Sequence, residues 1–165
     1  MSVLASKLMR NFEAGFGYPP GDDLLVEATA ESGREAAQSL SSVGAPGELR
    51  DFYSRVQEVS LPDVGNGFFI ASAEVLVEGI RRGDRPTEVT GSVNDAIVVF
   101  GSDGGGGLFA LSSSSGNVYR LSGGAQIGST YEVDESGIAV LASGFWEFLR
   151  YLLRELVQAV PIAWE

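Results

Sequence analysis

Asp103 stands at the mouth of an unbroken glycine run, Gly104-Gly105-Gly106-Gly107, the most unusual chemical feature of this chain. A glycine-rich loop can cradle phosphate with backbone N–H groups when a Lys and a Ser or Thr follow it and a helix begins behind them. Here neither follows, strand-like residues start at Leu108, and the carboxylate repels phosphate. The run reads instead as a structural hairpin turn, where Gly adopts positive φ at no steric cost. A close approach by a partner's backbone is the other use of such a run.

Paired carboxylates can act as acid and base in glycoside hydrolysis, and dense oxygen ligands on a loop can hold Ca²⁺ or Mg²⁺. Asp22-Asp23 and Asp134-Glu135 are too sparse for this, and no D-x-[DN]-x-[DN]-G pattern occurs. Asp22 or Asp23 suits a helix cap better. Arg81-Arg82-Gly83-Asp84-Arg85 is the one basic cluster, and Glu78, Asp84 and Glu88 balance it as a solvated loop. The chain has no His and no Cys. That excludes a Ser-His-Asp triad, HExxH metalloproteases, thiolate chemistry and disulfides. No catalytic residue, metal or cofactor is expected.

Counting 11 Lys+Arg against 22 Asp+Glu gives 11 − 22 = −11. Nucleic-acid binders spend basic residues on phosphates, so a charge of this sign argues against a nucleic-acid partner and is compatible with a basic protein. With 44% hydrophobic residues in 165, the chain can bury a core. The expectation is one domain over residues 1–165, with a helical arm over 1–18. No signal peptide or membrane span is legible, so the expected location is cytoplasmic, without a membrane partner.

The elements that must position these residues follow from periodicity. Leu4, Leu8, Phe12 and Phe16 predict an amphipathic N-terminal helix, broken at Tyr18-Pro19-Pro20-Gly21. A second helix is expected after Asp22-Asp23, with Leu24, Leu25 and Ala28 on one face. Ala30–Leu40 reads as a surface helix. Leu49, Phe52, Tyr53 and Val56 form a core-facing helical stripe. Leu61–Gly67 is a turn cluster, Phe68–Ile70 a strand, and Ser72 caps a helix carrying Val75, Leu76, Val77 and Ile80. Ala96–Phe100, Leu108–Leu111 and Asn117–Leu121 form an antiparallel meander. Gln126–Val133 and Ile138–Leu141 add weak or edge strands. Phe145, Phe148, Leu149, Leu152, Leu153, Leu156 and Val160 mark a long C-terminal helix, with Ser143 as its cap and Pro161 as its end. Trp146 lies off that stripe and is a candidate interface anchor; Trp164 can pack back or serve a dimer contact. The fold class is α+β: a curved, mainly antiparallel sheet with a central meander of about four to six strands, packed with N-terminal helices and the long C-terminal helix.

Several blocks resemble the SUKH superfamily, the Smi/Knr-type cell-wall regulators and their bacterial relatives. The first runs from Glu48-Leu49-Arg50-Asp51-Phe52-Tyr53, through the Gly65-Asn66-Gly67 turn, to Phe68-Phe69-Ile70-Ala71-Ser72-Ala73-Glu74. The second is Ile97–Leu111 with its Asp-Gly cluster, followed by Gly116-Asn117-Val118-Tyr119. The third is Phe145-Trp146-Glu147-Phe148-Leu149. Gly44-Ala45-Pro46-Gly47 departs from the family's Leu-Pro lead. The resemblance covers about residues 19–160. It implies a non-enzymatic protein-binding module, with many bacterial members being immunity proteins that neutralise a cognate, often nuclease-type, toxin. A regulatory or scaffold domain without a toxin partner is the alternative. On this reading the partner is a basic protein, and the chain is a monomer or homodimer. The partner-binding residues expected beside the sheet and its loops are Asp63, Asn66, Glu74, Asp103 and Tyr119.

Overall fold

The apolar run at Ala96–Phe100 lacks alternation because the strand that contains it is covered on both faces. A computed structural model describes Val3, Met9 and residues 21–160. Apart from Val3 and Met9, the helix expected over Val3–Phe16, the Tyr18–Pro20 break, Pro161 and Trp164 lie outside the described residues. In chain order the elements are β1 (Leu24–Glu27), α1 (Ala30–Ser42), α2 (Gly47–Tyr53), β2 (Val56–Leu61), β3 (Phe68–Ile70), α3 (Ala73–Arg82), β4 (Glu88–Gly91) and β5 (Asp95–Ser102). Then come β6 (Leu108–Ser112), β7 (Val118–Leu121), β8 (Ala125–Ile127), β9 (Thr130–Val133), β10 (Ile138–Ala142) and α4 (Phe145–Ala159). This is the expected α+β class, with a curved antiparallel sheet and a C-terminal helix.

The sheet branches at β5. One run is β1-β2-β3-β5-β6-β7-β10, antiparallel throughout, and it contains the expected meander. The other leaves the same strand as β5-β4-β9-β8. Gly101 and Ser102 at the end of β5 pair with β3, while Asp95 and Ala96 at its start pair with β4. Among the described residues, only β4 and β9 pair in parallel. Register shifts in the β5–β6 and β7–β10 pairs bend the strands. The central meander therefore fills two cores. Val98, Phe100, Phe109, Leu111 and Val118 point to the helices. Ile97, Val99, Ala110, Tyr119 and Leu121 point to Val89, Tyr131 and Val133 of the folded-over branch.

The helices sit where their caps and apolar faces place them. Ser72 Oγ accepts a bond from Val75 N at 3.3 Å at the start of α3, as expected. Thr29 and Ser32 form a reciprocal capping box on α1, with bonds of 3.0 and 2.9 Å. Phe145 and Phe148 of α4 lie edge-on to Phe100, with centroids 5.1 and 5.3 Å away. Among the described residues, no helix is long and apolar enough to cross a membrane.

Four local expectations are corrected. Leu24–Glu27 is a strand, because the exposed edge of β2 takes it as a pairing partner, and Asp23 caps no helix. Val56 belongs to β2, since α2 stops at Tyr53. Arg81 and Arg82 lie in the last turn of α3, closed by Gly83 at φ 74°. Gly144, not Ser143, is the N-cap of α4. It has no side chain to offer, and Glu48 Oε2 takes the Phe145 N–H at 3.2 Å instead.

Candidate functional site

Small residues on facing helices leave a gap between α1 and α3. Ser32, Ala36 and Ser39 recur at helical spacing on α1, and Ala73 and Val77 on α3. The result is an open groove of about 740 Å³. Tyr53 and Val56 add to its floor, and Glu35, Glu74, Glu78, Arg81 and Arg82 line its rim. Arg81 donates to Ser42 Oγ at 2.8 Å and ties the end of α1 to that of α3. Glu78 pairs with Arg82 within the helix. Among the described residues, no ion pair or side-chain hydrogen bond engages Glu35 or Glu74. With Glu78 paired to Arg82 and Arg81 tied to Ser42, Glu35 and Glu74 are the rim carboxylates left to meet a cation, above a floor that mixes apolar side chains with Ser32, Ser39 and Gln57.

The expected site residues fall in four places. Glu74 is on this groove. Asn66 and Asp103 come together at a second, smaller cavity of about 140 Å³, which Arg120, Tyr151 and Glu155 also line. The two loops touch directly, since Gly104 N donates to Asn66 O at 2.8 Å. Asp103 is buried and engaged on both oxygens. Oδ1 accepts from Gly105 N at 2.9 Å and Gly107 N at 2.8 Å, and Oδ2 accepts from Arg120 Nε at 2.8 Å. Burial pushes its carboxyl up, but these bonds outweigh that and hold it below the usual range. The glycine run is thus a turn pinned by its own aspartate. Gly106 supplies the left-handed φ of 84°, and a Cβ on Gly104 would lie 2.4 Å from Asn66 O.

Asp63 pairs with Asp23 at the entry to β1. Asp63 N donates to Asp23 Oδ1 at 3.1 Å, and Asp63 Oδ2 accepts from Gly21 N at 2.7 Å. Asp23 is fully buried, and among the described residues no donor reaches its Oδ2. Burial, then the neighbouring Asp63 carboxyl, to which a protonated Asp23 can donate, pushes its pKa up from 3.8 to about 7. Tyr119 lies on the opposite face of the sheet. Its hydroxyl donates to Asp95 Oδ2 at 3.0 Å, where Ser112 and Ser114 also converge on the carboxylate. Burial and then this bond push the Tyr119 phenol up. Burial raises the Asp95 carboxyl, but the Ser112, Ser114 and Tyr119 hydroxyls outweigh it and hold it low.

Glu35 and the groove floor were not singled out from sequence. Their signal is the Ser32/Ala36/Ser39 spacing, which reads equally as an ordinary solvated helix. Among the described residues, no group of three or more acidic side chains is placed to hold a metal ion. Compared with protein-family models and with curated proteins, the chain gives no match to either.

Proposed function

We propose that this chain is a non-enzymatic protein-binding module of the SUKH type, an immunity protein that neutralises a nuclease-type toxin in the cytoplasm by occluding it with an acidic surface. The observation that carries this reading is the α1–α3 groove, where Glu35 and Glu74 stand, among the described residues, without cationic partners over a floor of mixed polar and apolar side chains. Nucleases bind polyanions, so their substrate surfaces are basic. A carboxylate rim meets such a surface in place of phosphate, and a chain of net charge −11 steers the encounter. The apolar part of the floor, Ala36, Val56, Ala73 and Val77, then adds to the lifetime of the complex, because dissociation must re-expose it.

The test is a pull-down with the tagged full chain from its native host, repeated across a salt series, beside the double variant Glu35→Arg/Glu74→Arg. The expected result is a basic protein whose recovery falls with salt and is lost with the double variant. That protein should be toxic when expressed alone and harmless with this chain. Recovery that ignores both salt and the two glutamates overturns the electrostatic docking. A basic partner without toxicity replaces immunity with a regulatory or scaffold role.

A further inference from the structure

Helix α4 carries two apolar faces, and the sheet uses only one. Phe145, Phe148, Leu152 and Leu156 are fully buried. Trp146, Leu153 and Val157 are 42, 38 and 53% exposed. With Arg150 they step along the helix by four, three and four residues, the spacing of a seam between two packed helices. Arg150 sits in that seam with an apolar stem that can lie along the neighbouring side chains, and its head pairs with Glu147 of its own helix at the exposed edge, leaving Arg154 the flanking charge without a partner among the described residues.

We infer that this stripe is a homodimer interface in which α4 packs antiparallel on the α4 of a second copy. The flanking charges select both the occupant and the direction. Glu147 and Arg154 lie on the same side of the stripe, two helical turns apart. With a twofold axis between Tyr151 and Leu152, Trp146 lies level with the second copy's Val157, and Glu147 comes within about 3 Å along the helix axis of the second copy's Arg154 on the same flank. The symmetry makes that ion pair twice, as a self-complementary twofold interface requires. A parallel pairing sets Trp146 on Trp146 and opposes neither charge with its complement. A basic partner gains nothing here, because Arg150 and Arg154 against Glu147 leave the stripe at 2 − 1 = +1 in a chain of −11. An identical copy brings the matching charges. The α1–α3 groove takes no part in this pairing, so the inference stands apart from the proposed partner.

Sedimentation velocity of the full chain over a concentration series tests it. The expected mass moves from one chain to two as concentration rises. Leu153→Glu should hold it at one chain with an unchanged far-ultraviolet circular dichroism spectrum. Arg154→Glu should weaken association about tenfold, and Glu147→Arg/Arg154→Glu should restore it. Because the sequence has no Cys, single introduced cysteines report the geometry directly. Arg150→Cys, near the axis, should give a covalent dimer under mild oxidation. Val157→Cys, far from its symmetry mate, and the off-stripe Gln158→Cys should not. A chain that stays monomeric throughout, a dimer indifferent to Leu153→Glu, or cross-linking at position 157 in place of 150 overturns the inference. The dimer should persist at salt that strips a partner from the acidic groove, so the two readings fail separately.

Discussion

Replacing Asp23 by Asn should raise stability most at pH 8 and by no more than about 1 kcal/mol at pH 4.5, less than one pH unit above the ordinary carboxyl value. The carboxyl is fully buried with one oxygen unpartnered among the described residues, and its pKa rises from 3.8 to about 7. The folded state therefore holds a proton that the unfolded chain has released between those two values. Stability from this group is fully present below pH 3.8 and is lost as pH rises to about 7. At about 1.4 kcal/mol per tenfold change in proton affinity, the full excursion corresponds to roughly 4 kcal/mol. Relaxation of the β1 entry and water penetration reduce this, so we expect about 2–4 kcal/mol. Asn keeps an oxygen to accept the Asp63 N–H and offers an N–H₂ to the Asp63 carboxylate, with no charge to desolvate.

Urea unfolding of both proteins between pH 4.5 and 8 gives the comparison. The wild-type chain carries net charge −11, so its overall self-repulsion also falls toward low pH. Taking the difference between variant and wild type removes most of that shared effect and isolates the Asp23 contribution. The difference should grow steadily from pH 4.5 to 7 and then level off. A difference that is flat with pH, or that favours the wild type at pH 8, refutes the reasoning.

Asp103→Asn should cost about 2–3 kcal/mol at pH 7, because it removes the carboxylate that pairs with Arg120 within a buried loop. The folded-state carboxyl is held low, so its contribution is present above the ordinary value and lost as pH falls below it; the gap between variant and wild type should narrow in acid, as read by thermal melts. Gly104→Ala should destabilise by about 1–3 kcal/mol, since the new methyl would sit 2.4 Å from Asn66 O. Gly105→Ala is its control, with 3.5 Å to the nearest atom and an expected effect near zero in the same melts. Phe148→Ala should cost about 3–5 kcal/mol in denaturant midpoint, because its ring fills the contact among Phe100, Phe109 and Phe145.

What the sequence makes legible is what local pattern and burial both favour. The C-terminal helix follows from a stripe of large apolar residues at three- and four-residue steps, and α3 from Ser72 before a similar stripe. The three central strands follow from short, largely apolar runs between glycine turns, the first of them β-branched at Ile97, Val98 and Val99. Leu24–Glu27 was misread because nothing local separates a short strand from a helical turn there; only the open edge of β2 decides it. The folded-over branch was legible only in outline. Its strands are short, and β4 pairs with residues far along the chain in β9. The continuous apolar run at Ile97–Phe100 is the trace it leaves, since a strand covered on one face alone would alternate.

The same distinction explains why the expected site residues scatter. A polar residue in a motif can serve a partner or the fold, and its type alone does not say which. Asp103 has both oxygens engaged by the loop it pins, and Tyr119 gives its hydroxyl to Asp95. Asp63 holds the entry of β1. Their polarity is spent inside the molecule, and replacing any of them tests folding before it tests recognition. Glu74 and Asn66 are exposed and, among the described residues, make no side-chain hydrogen bond or ion pair. A carboxylate that nothing in the fold neutralises keeps its full attraction for a cation, and an apolar surface beside it adds desolvation to charge. Glu74 meets both conditions, with Glu35 across the groove, and that makes the α1–α3 groove the first place to search for the partner's footprint.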